Sequence, residues 1–198
     1  MAAIRSIGAL VLIAVLLAGC GSTFDPTGPC TANGSAPGAY PELEAALPAT
    51  YQGAGPKERD SGRACTADGL GTLASHGVKE MRFAGATWST GRDSGLSLAI
   101  FVNPTGPALT REWMAEFYET GARAGKKVTS VETTDYPVGS RVTGRRIDVL
   151  NDESYQSVVV WERNGQIAVA LVANFIREIQ TREAHDVIVR AAVDAFGG

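Results

Sequence analysis

The sequence is poor in the residues that enzymes use at metal ions and nucleophiles. It has two histidines, His76 and His185, and three cysteines, and it contains no His-x-x-x-His or Cys-x-x-Cys pair. Gly-x-Ser-x-Gly, P-loop and Gly-x-Gly-x-x-Gly sequences are also missing. These absences disfavour a zinc ribbon, a thiol oxidoreductase, an α/β-hydrolase and a nucleotide-binding fold. The sequence therefore predicts no catalytic residue, no metal site and no cofactor.

Positive charge is scarce as well. Lysine and arginine total 18 against 21 acidic residues, which gives a formal net charge of −3. The basic clusters, Lys126-Lys127 and Arg145-Arg146, are pairs rather than stripes. A mildly acidic protein has no electrostatic reason to bind nucleic acid, so no nucleic-acid partner is predicted. The hydrophobic content of 44% indicates a folded core rather than a disordered chain.

The N-terminal apolar run is short for a transmembrane helix. Ile7 to Ala18 would span about 18 Å as a helix, against a hydrocarbon core of about 30 Å. Arg5 precedes the run, and small residues follow it. This order of charge, apolar run and small residues is typical of a secretory signal peptide, so residues 1–19 are predicted to be removed.

The run ends in Leu17-Ala18-Gly19-Cys20, which resembles the lipobox of bacterial lipoproteins. The resemblance covers residues 1–20. It implies that the Cys20 sulfur carries a diacylglyceryl group, that the chain is cut before Cys20, and that the new amine is acylated, for example with palmitate. Such a chain is anchored to the extracytoplasmic face of a cell membrane without crossing it, because two or more acyl chains hold durably. The competing interpretation is an ordinary secretory signal with a chance cysteine.

Lipidation of Cys20 would leave two cysteines, Cys30 and Cys65. An even remainder in an oxidising compartment predicts a disulfide; two free thiols are the alternative. Residues 20–39 are dominated by small and turn-forming residues and are predicted to form a flexible lipid-anchored tether. Residues 40–198 are then predicted to form a single domain.

Periodicity within that domain predicts an α+β fold. Residues 49–64 are predicted to be irregular or a poor edge strand. The short links predict an antiparallel sheet of about six strands, a hairpin followed by a four-strand meander, packed by three to four helices. The predicted helices are 41–47, 66–75, 111–124 and 182–196, and the predicted strands are 78–89, 96–103, 127–134, 140–150, 155–163 and 166–175.

This order of elements resembles the α/β sandwiches of photosystem extrinsic P-subunit-like domains. Some actinobacterial cell-envelope lipoproteins use the same arrangement. The resemblance rests on element order alone and names no residue. It implies an adaptor or binding role.

Four aromatic residues are predicted to form a ligand or partner surface: Trp113, Phe117, Tyr155 and Trp161. Tyr155 and Trp161 would belong to an exposed strip if helices covered only one face of the sheet. Core packing is the competing interpretation for all four. The first function predicted is a non-enzymatic binding or adaptor module with an envelope protein as partner. A carrier of lipid or small apolar ligands, and a hydrolase whose site is not visible in the sequence, are the alternatives.

Overall fold

A computed structural model describes residues 24–197, so the predicted signal peptide and the lipobox Leu17–Cys20 lie outside the described residues. Within them, one antiparallel sheet has the strand order β1-β2-β3-β4-β8-β7-β6-β5. The strands are β1 Gly34–Ala36, β2 Glu58–Ala64, β3 Met81–Ser89, β4 Gly95–Val102, β5 Val128–Val138, β6 Val142–Asn151, β7 Ser154–Arg163 and β8 Gln166–Phe175. The helices are α1 Pro41–Glu44, α2 Ala67–Leu70, a 3-10 helix Gly71–His76, α3 Arg111–Arg123 and α4 Arg182–Gly197.

Helices cover both faces of the sheet. The first face packs against α1 and α4, and the second packs against α2, the 3-10 helix and α3. Alternate residues of β8 supply the two cores: Ala168 and Ala170 face α4, whereas Ile167 and Val169 face α3. β8 is an inner strand, between β4 and β7, and helices cover both of its faces. It is apolar at successive positions because a strand covered on both faces has no side in contact with solvent.

Local sequence features begin and end these elements. The Thr110 side chain accepts a hydrogen bond of 3.2 Å from the Trp113 N–H and so caps α3. Between β7 and β8, Asn164 and Gly165 have φ values of 52° and 76°, the left-handed conformation that tight hairpin turns require. The predicted antiparallel meander of the last four strands is confirmed, because β5, β6, β7 and β8 pair in sequence order.

The predicted count of about six strands is wrong, because the N-terminal part of the chain adds β1 and β2. β1 lies in the segment predicted to be a spacer, and β2 lies in residues 49–64, which are predicted to be irregular or a poor edge strand. β2 is a strand but not an edge, because it lies between β1 and β3. Small residues are needed here for close approach. A Cβ atom at Gly62 of β2 would lie 2.3 Å from the Gly34 carbonyl oxygen of β1, so only glycine allows the two strands to pair at this register.

Residues 24–33 also pack against the fold, although they belong to the segment predicted as a tether. Arg63 of β2 is only 5% exposed, and its guanidinium donates to four backbone carbonyls between residues 25 and 29 at 2.8–3.3 Å. The predicted disulfide between Cys30 and Cys65 is present, with Cα atoms 5.4 Å apart. The described fold therefore includes chain from Phe24 onward, where the predicted domain began at residue 40.

Candidate functional site

A network of buried polar side chains lies between α4 and strands β6 to β8. His185, in the first turns of α4, is 1% exposed. Its Nδ1 atom lies 2.7 Å from Asn174 Oδ1 on β8, and its Nε2 atom lies 2.8 Å from Ser157 Oγ on β7. Ser157 and Asn174 are both 0% exposed. A serine, a histidine and an amide from three elements are thus joined out of contact with solvent.

The hydrogen-bond geometry assigns the protons of this network. Ser157 Oγ lies 2.5 Å from Asp148 Oδ1, so the single hydroxyl proton is donated to that carboxylate. His185 Nε2 must then donate to Ser157. In the orientation shown, Asn174 Oδ1 can only accept, so His185 Nδ1 donates to it. Turning the amide by 180° would let its Nδ2 atom donate to Nδ1, which is the arrangement that a neutral ring requires. Both ring nitrogens are hydrogen-bonded in either orientation.

Two guanidinium groups and two carboxylates surround the ring. Arg146 of β6 lies 2.8 Å from Asp148 and also contacts Asp186 of α4, while Arg182 lies 2.6 Å from the other oxygen of Asp148. Burial, reinforced by the positive charge of Arg146, lowers the pKa of His185 to about 4. With the ring neutral at pH 7, the charges of the four surrounding groups cancel.

A serine that contacts a histidine, which in turn contacts an amide, is an arrangement found in nucleophilic active sites. Here the serine and the histidine are closed off from solvent. The concavity beside them, lined by Asp148, Tyr155, Arg182 and His185 among others, holds about 20 Å³, the volume of a single water. The Ser157 proton is directed at Asp148, so the His185 ring is not placed to remove it. The network therefore fastens α4 to the sheet and offers no access for a substrate.

An open groove of about 620 Å³ lies on the other face, between α3 and strands β5 and β6. Its lining is charged. Hydrogen bonds from Arg123 and Thr133 lower the pKa of Glu119. Three ion pairs with N–O distances of 2.6–2.7 Å line the groove: Arg111–Glu112, Arg123–Glu119 and Arg145–Asp135. We call this concavity the α3 groove.

The α3 groove borders an edge of the sheet. Within the described residues, β5 pairs with β6 alone, so one side of its backbone is not used in the sheet. Most β5 side chains are exposed or partly exposed. Pro137 and the acidic residues Glu132 and Asp135 are features that keep such an edge from pairing with other copies of the chain.

The two α3 residues of the predicted aromatic surface lie near the α3 groove but do not line it. Trp113 stacks on His76 of the 3-10 helix, with ring centroids 4.6 Å apart and an interplanar angle of 8°. His76 in turn lies 2.7 Å from Glu116, which does line the groove. Phe117 packs edge-on against Tyr118, with centroids 5.5 Å apart. Trp113 and Phe117 are both partly exposed.

The two β7 residues are on the opposite face. Tyr155 is partly exposed, and its ring lies 5.9 Å from that of His185. Trp161 is 1% exposed and packs edge-on against Phe196 of α4, with centroids 5.6 Å apart. The strip predicted for a sheet with one open face does not form, because α4 covers it. The four aromatic residues are therefore not one surface.

Two further properties concern residues 24–197 only. In that part of the chain, no group of three histidine, cysteine, aspartate or glutamate side chains could hold a metal ion. None of the helices described there has both the length and the apolar character that crossing a membrane requires.

A scan against protein-family models and a search of curated proteins each found no match.

Proposed function

We propose that this chain is a bacterial lipoprotein, held by acyl chains on Cys20 at the extracytoplasmic face of a cell membrane. The Cys30–Cys65 disulfide is the observation that carries the proposal. Disulfides persist in oxidising compartments and are rare in the cytosol, so the bridge fits export by a signal peptide over residues 1–19. Because the bridge uses two of the three cysteines, Cys20 is left as the thiol for lipidation.

We further propose that the domain is a non-enzymatic binding or adaptor module with an envelope protein as partner. The buried network is closed to substrates, whereas the α3 groove is open and lined by both signs of charge. A polypeptide segment with alternating charges matches such a lining. The groove does not suit an apolar ligand. Such a ligand would displace water from the arginine and glutamate side chains of the groove and offer them no hydrogen bonds in return.

The lipid anchor is tested by the mass of the protein recovered from bacterial membranes. Wild type should lack residues 1–19, carry a diacylglyceryl group on Cys20 and require detergent for release. Cys20→Ser should carry no diacylglyceryl group and should keep residues 1–19, whose apolar run can itself hold the variant at the membrane, so the mass is the deciding measurement. The matched control is the double variant Cys30→Ser/Cys65→Ser, which also replaces cysteines, and so removes the disulfide, but should keep the lipid.

An intact Met1 in the wild-type protein would contradict the proposal. So would release of the wild-type protein from membranes by a wash without detergent. Equal lipid incorporation by the Cys20→Ser variant would show that another residue carries the anchor.

A further inference from the structure

We infer that the end of the sheet beside the disulfide lies against the lipid bilayer, so that the opposite end is presented away from it. This inference rests on the proposed lipid anchor at Cys20 and adds the orientation of the domain. The surface in question consists of residues 28–33, residues 77–79 and the loop 103–107. We call it the anchor end.

The covalent distance from the lipid to the fold is short. Three residues, 21–23, separate Cys20 from Phe24, the first described residue. Four Cα-to-Cα steps reach at most about 14 Å even when fully extended. A folded body attached this closely cannot turn freely, because most orientations would place its own surface inside the bilayer.

The chain is fixed to the fold at the point where this short connection meets it. The Phe24 ring packs edge-on against Tyr40, with centroids 6.5 Å apart, and the Arg63 guanidinium lies 5.5 Å from its centroid. Gly34 leaves room for the ring, since a Cβ there would lie 2.4 Å from a Phe24 carbon. Arg63 binds the carbonyls that follow, and the disulfide closes the segment at Cys30.

The strand register defines which parts of the domain share this end. Gly34 of β1 pairs with Arg63 at the end of β2, Arg63 pairs with Arg82 at the start of β3, and Arg82 pairs with Val102 at the end of β4. The Cys30 sulfur lies 4.0 Å from the Lys79 carbonyl oxygen, which adds the segment before β3. The loop 103–107 after β4 therefore lies at the anchor end, and the turn between β3 and β4 lies at the other.

The orientation can be measured with two labelled variants of the full lipid-modified chain. Thr105→Cys places a fluorophore at the anchor end, and Arg92→Cys places the same fluorophore in the exposed turn between β3 and β4. The protein is inserted into phosphatidylcholine vesicles that contain a headgroup spin-labelled lipid as quencher. Because β4 separates the two labels by about 27 Å, we expect about threefold stronger quenching at residue 105 than at residue 92.

A matched variant tests whether the short connection is the cause. A Gly/Ser segment of about 20 residues inserted between residues 23 and 24 leaves the lipid and the fold in place but allows the domain to turn. We expect the difference between the two labels to disappear in this variant. If residue 105 is still quenched more strongly than residue 92 after the Gly/Ser insertion, the short connection is not what orients the domain.

Flotation of the vesicles separates failure of this inference from failure of the anchor. Protein that floats with vesicles but is quenched equally at residues 105 and 92, or more strongly at residue 92, overturns the orientation and leaves the anchor intact. Protein that does not float overturns the anchor, and the orientation falls with it.

Discussion

Replacing His185 with glutamine should remove an acid-dependent loss of stability that the wild-type fold carries. The ring is 1% exposed and both its nitrogens are hydrogen-bonded, so adding a proton to the neutral ring would place a new charge in the interface between α4 and the sheet. Glutamine offers a donor and an acceptor to Ser157 and Asn174 but cannot take up that proton. The two proteins should therefore respond differently to acid.

The size and the pH range of this effect follow from the two pKa values of the ring. Burial lowers the pKa of His185 from 6.5 to about 4 in the folded protein. Between these values the unfolded chain binds a proton that the folded chain does not, so stability falls as the pH drops from 6.5 toward 4. Above pH 7 the ring contributes no pH dependence. At about 1.4 kcal/mol per pH unit, the full loss is about 3 kcal/mol.

Other charged and polar groups face the ring, so the comparison must be a difference between variants. The groups around the site are Asp148 and Arg146 on β6, Asp186 and Arg182 on α4, and the Tyr155 ring on β7. They are the same in both proteins, so their contributions largely cancel when the two unfolding free energies are subtracted. What remains is the contribution of the His185 ring.

The assay is urea unfolding of wild type and His185→Gln, followed by tryptophan fluorescence at several pH values from 7.5 to 4. At pH 7.5 the variant should be less stable by about 1–3 kcal/mol, because its hydrogen bonds are imperfect. This deficit should shrink or reverse as the pH falls to 4. His76→Gln is the control, since His76 lies at a partly exposed site on the other face. Parallel curves for wild type and His185→Gln would refute the reasoning.

Three further outcomes are expected. Reduction of the disulfide, whose cysteines are 35 residues apart, should lower the free energy of unfolding by about 4 kcal/mol, seen as a lower urea midpoint; an unchanged midpoint would show that the bridge does not constrain the unfolded chain. Trp161→Ala should destabilise the fold by about 3–5 kcal/mol, and Trp113→Ala by roughly 1 kcal/mol, because only Trp161 is fully buried; equal losses in chemical denaturation would contradict this. A photo-crosslinking residue at Glu116 in the α3 groove should yield an adduct with one envelope protein in living cells, whereas one at Val187, which is 67% exposed on α4, should not; equal adducts at both sites would contradict a specific groove.

Local periodicity was sufficient to predict the elements whose apolar residues repeat. The predicted helix 111–124 is observed as Arg111–Arg123, and the predicted strand 166–175 is observed as Gln166–Phe175. In both, each residue's environment follows from neighbours within one or two turns or pleats. The short links between the last strands also fixed their pairing, since a two-residue turn such as Asn164-Gly165 allows only an antiparallel neighbour.

The first strand, and the pairing of the first two strands, could not be predicted in this way; for the second, a poor edge strand was one of two alternatives. Their pairing depends on Gly62 meeting Gly34, on the Arg63 side chain and on a disulfide, none of which produces an apolar repeat. A segment of small residues has the same composition whether it forms a spacer or lies close to another strand. Only the partner distinguishes the two, and the partner is distant in the sequence.

The buried network escaped prediction for a related reason. Asp148, Ser157, Asn174 and His185 come from four elements and share no local spacing. One signal was present in the sequence: Ser157 precedes the apolar run Val158 to Val160, and Asn174 follows a long apolar run, so each puts a polar side chain at the end of a buried strand segment. A polar residue at such a position needs a partner, and another buried polar group is the usual one.

The oxidation state of the disulfide and the geometry of the anchor are physically linked. Residues 24–33 bury little apolar surface, and ordering each of them costs about 1–2 kcal/mol of conformational entropy. The carbonyl bonds to Arg63 contribute about 1 kcal/mol each, so they offset only part of this cost. The covalent bond fixes Cys30 whatever that balance is, so in the oxidised protein the connection from Cys20 can extend no further than residue 29. In a reduced protein this limit would move to residue 33, directly before β1. In the proposed lipoprotein, the compartment that oxidises the disulfide would thus also limit how far the domain can lie from the membrane.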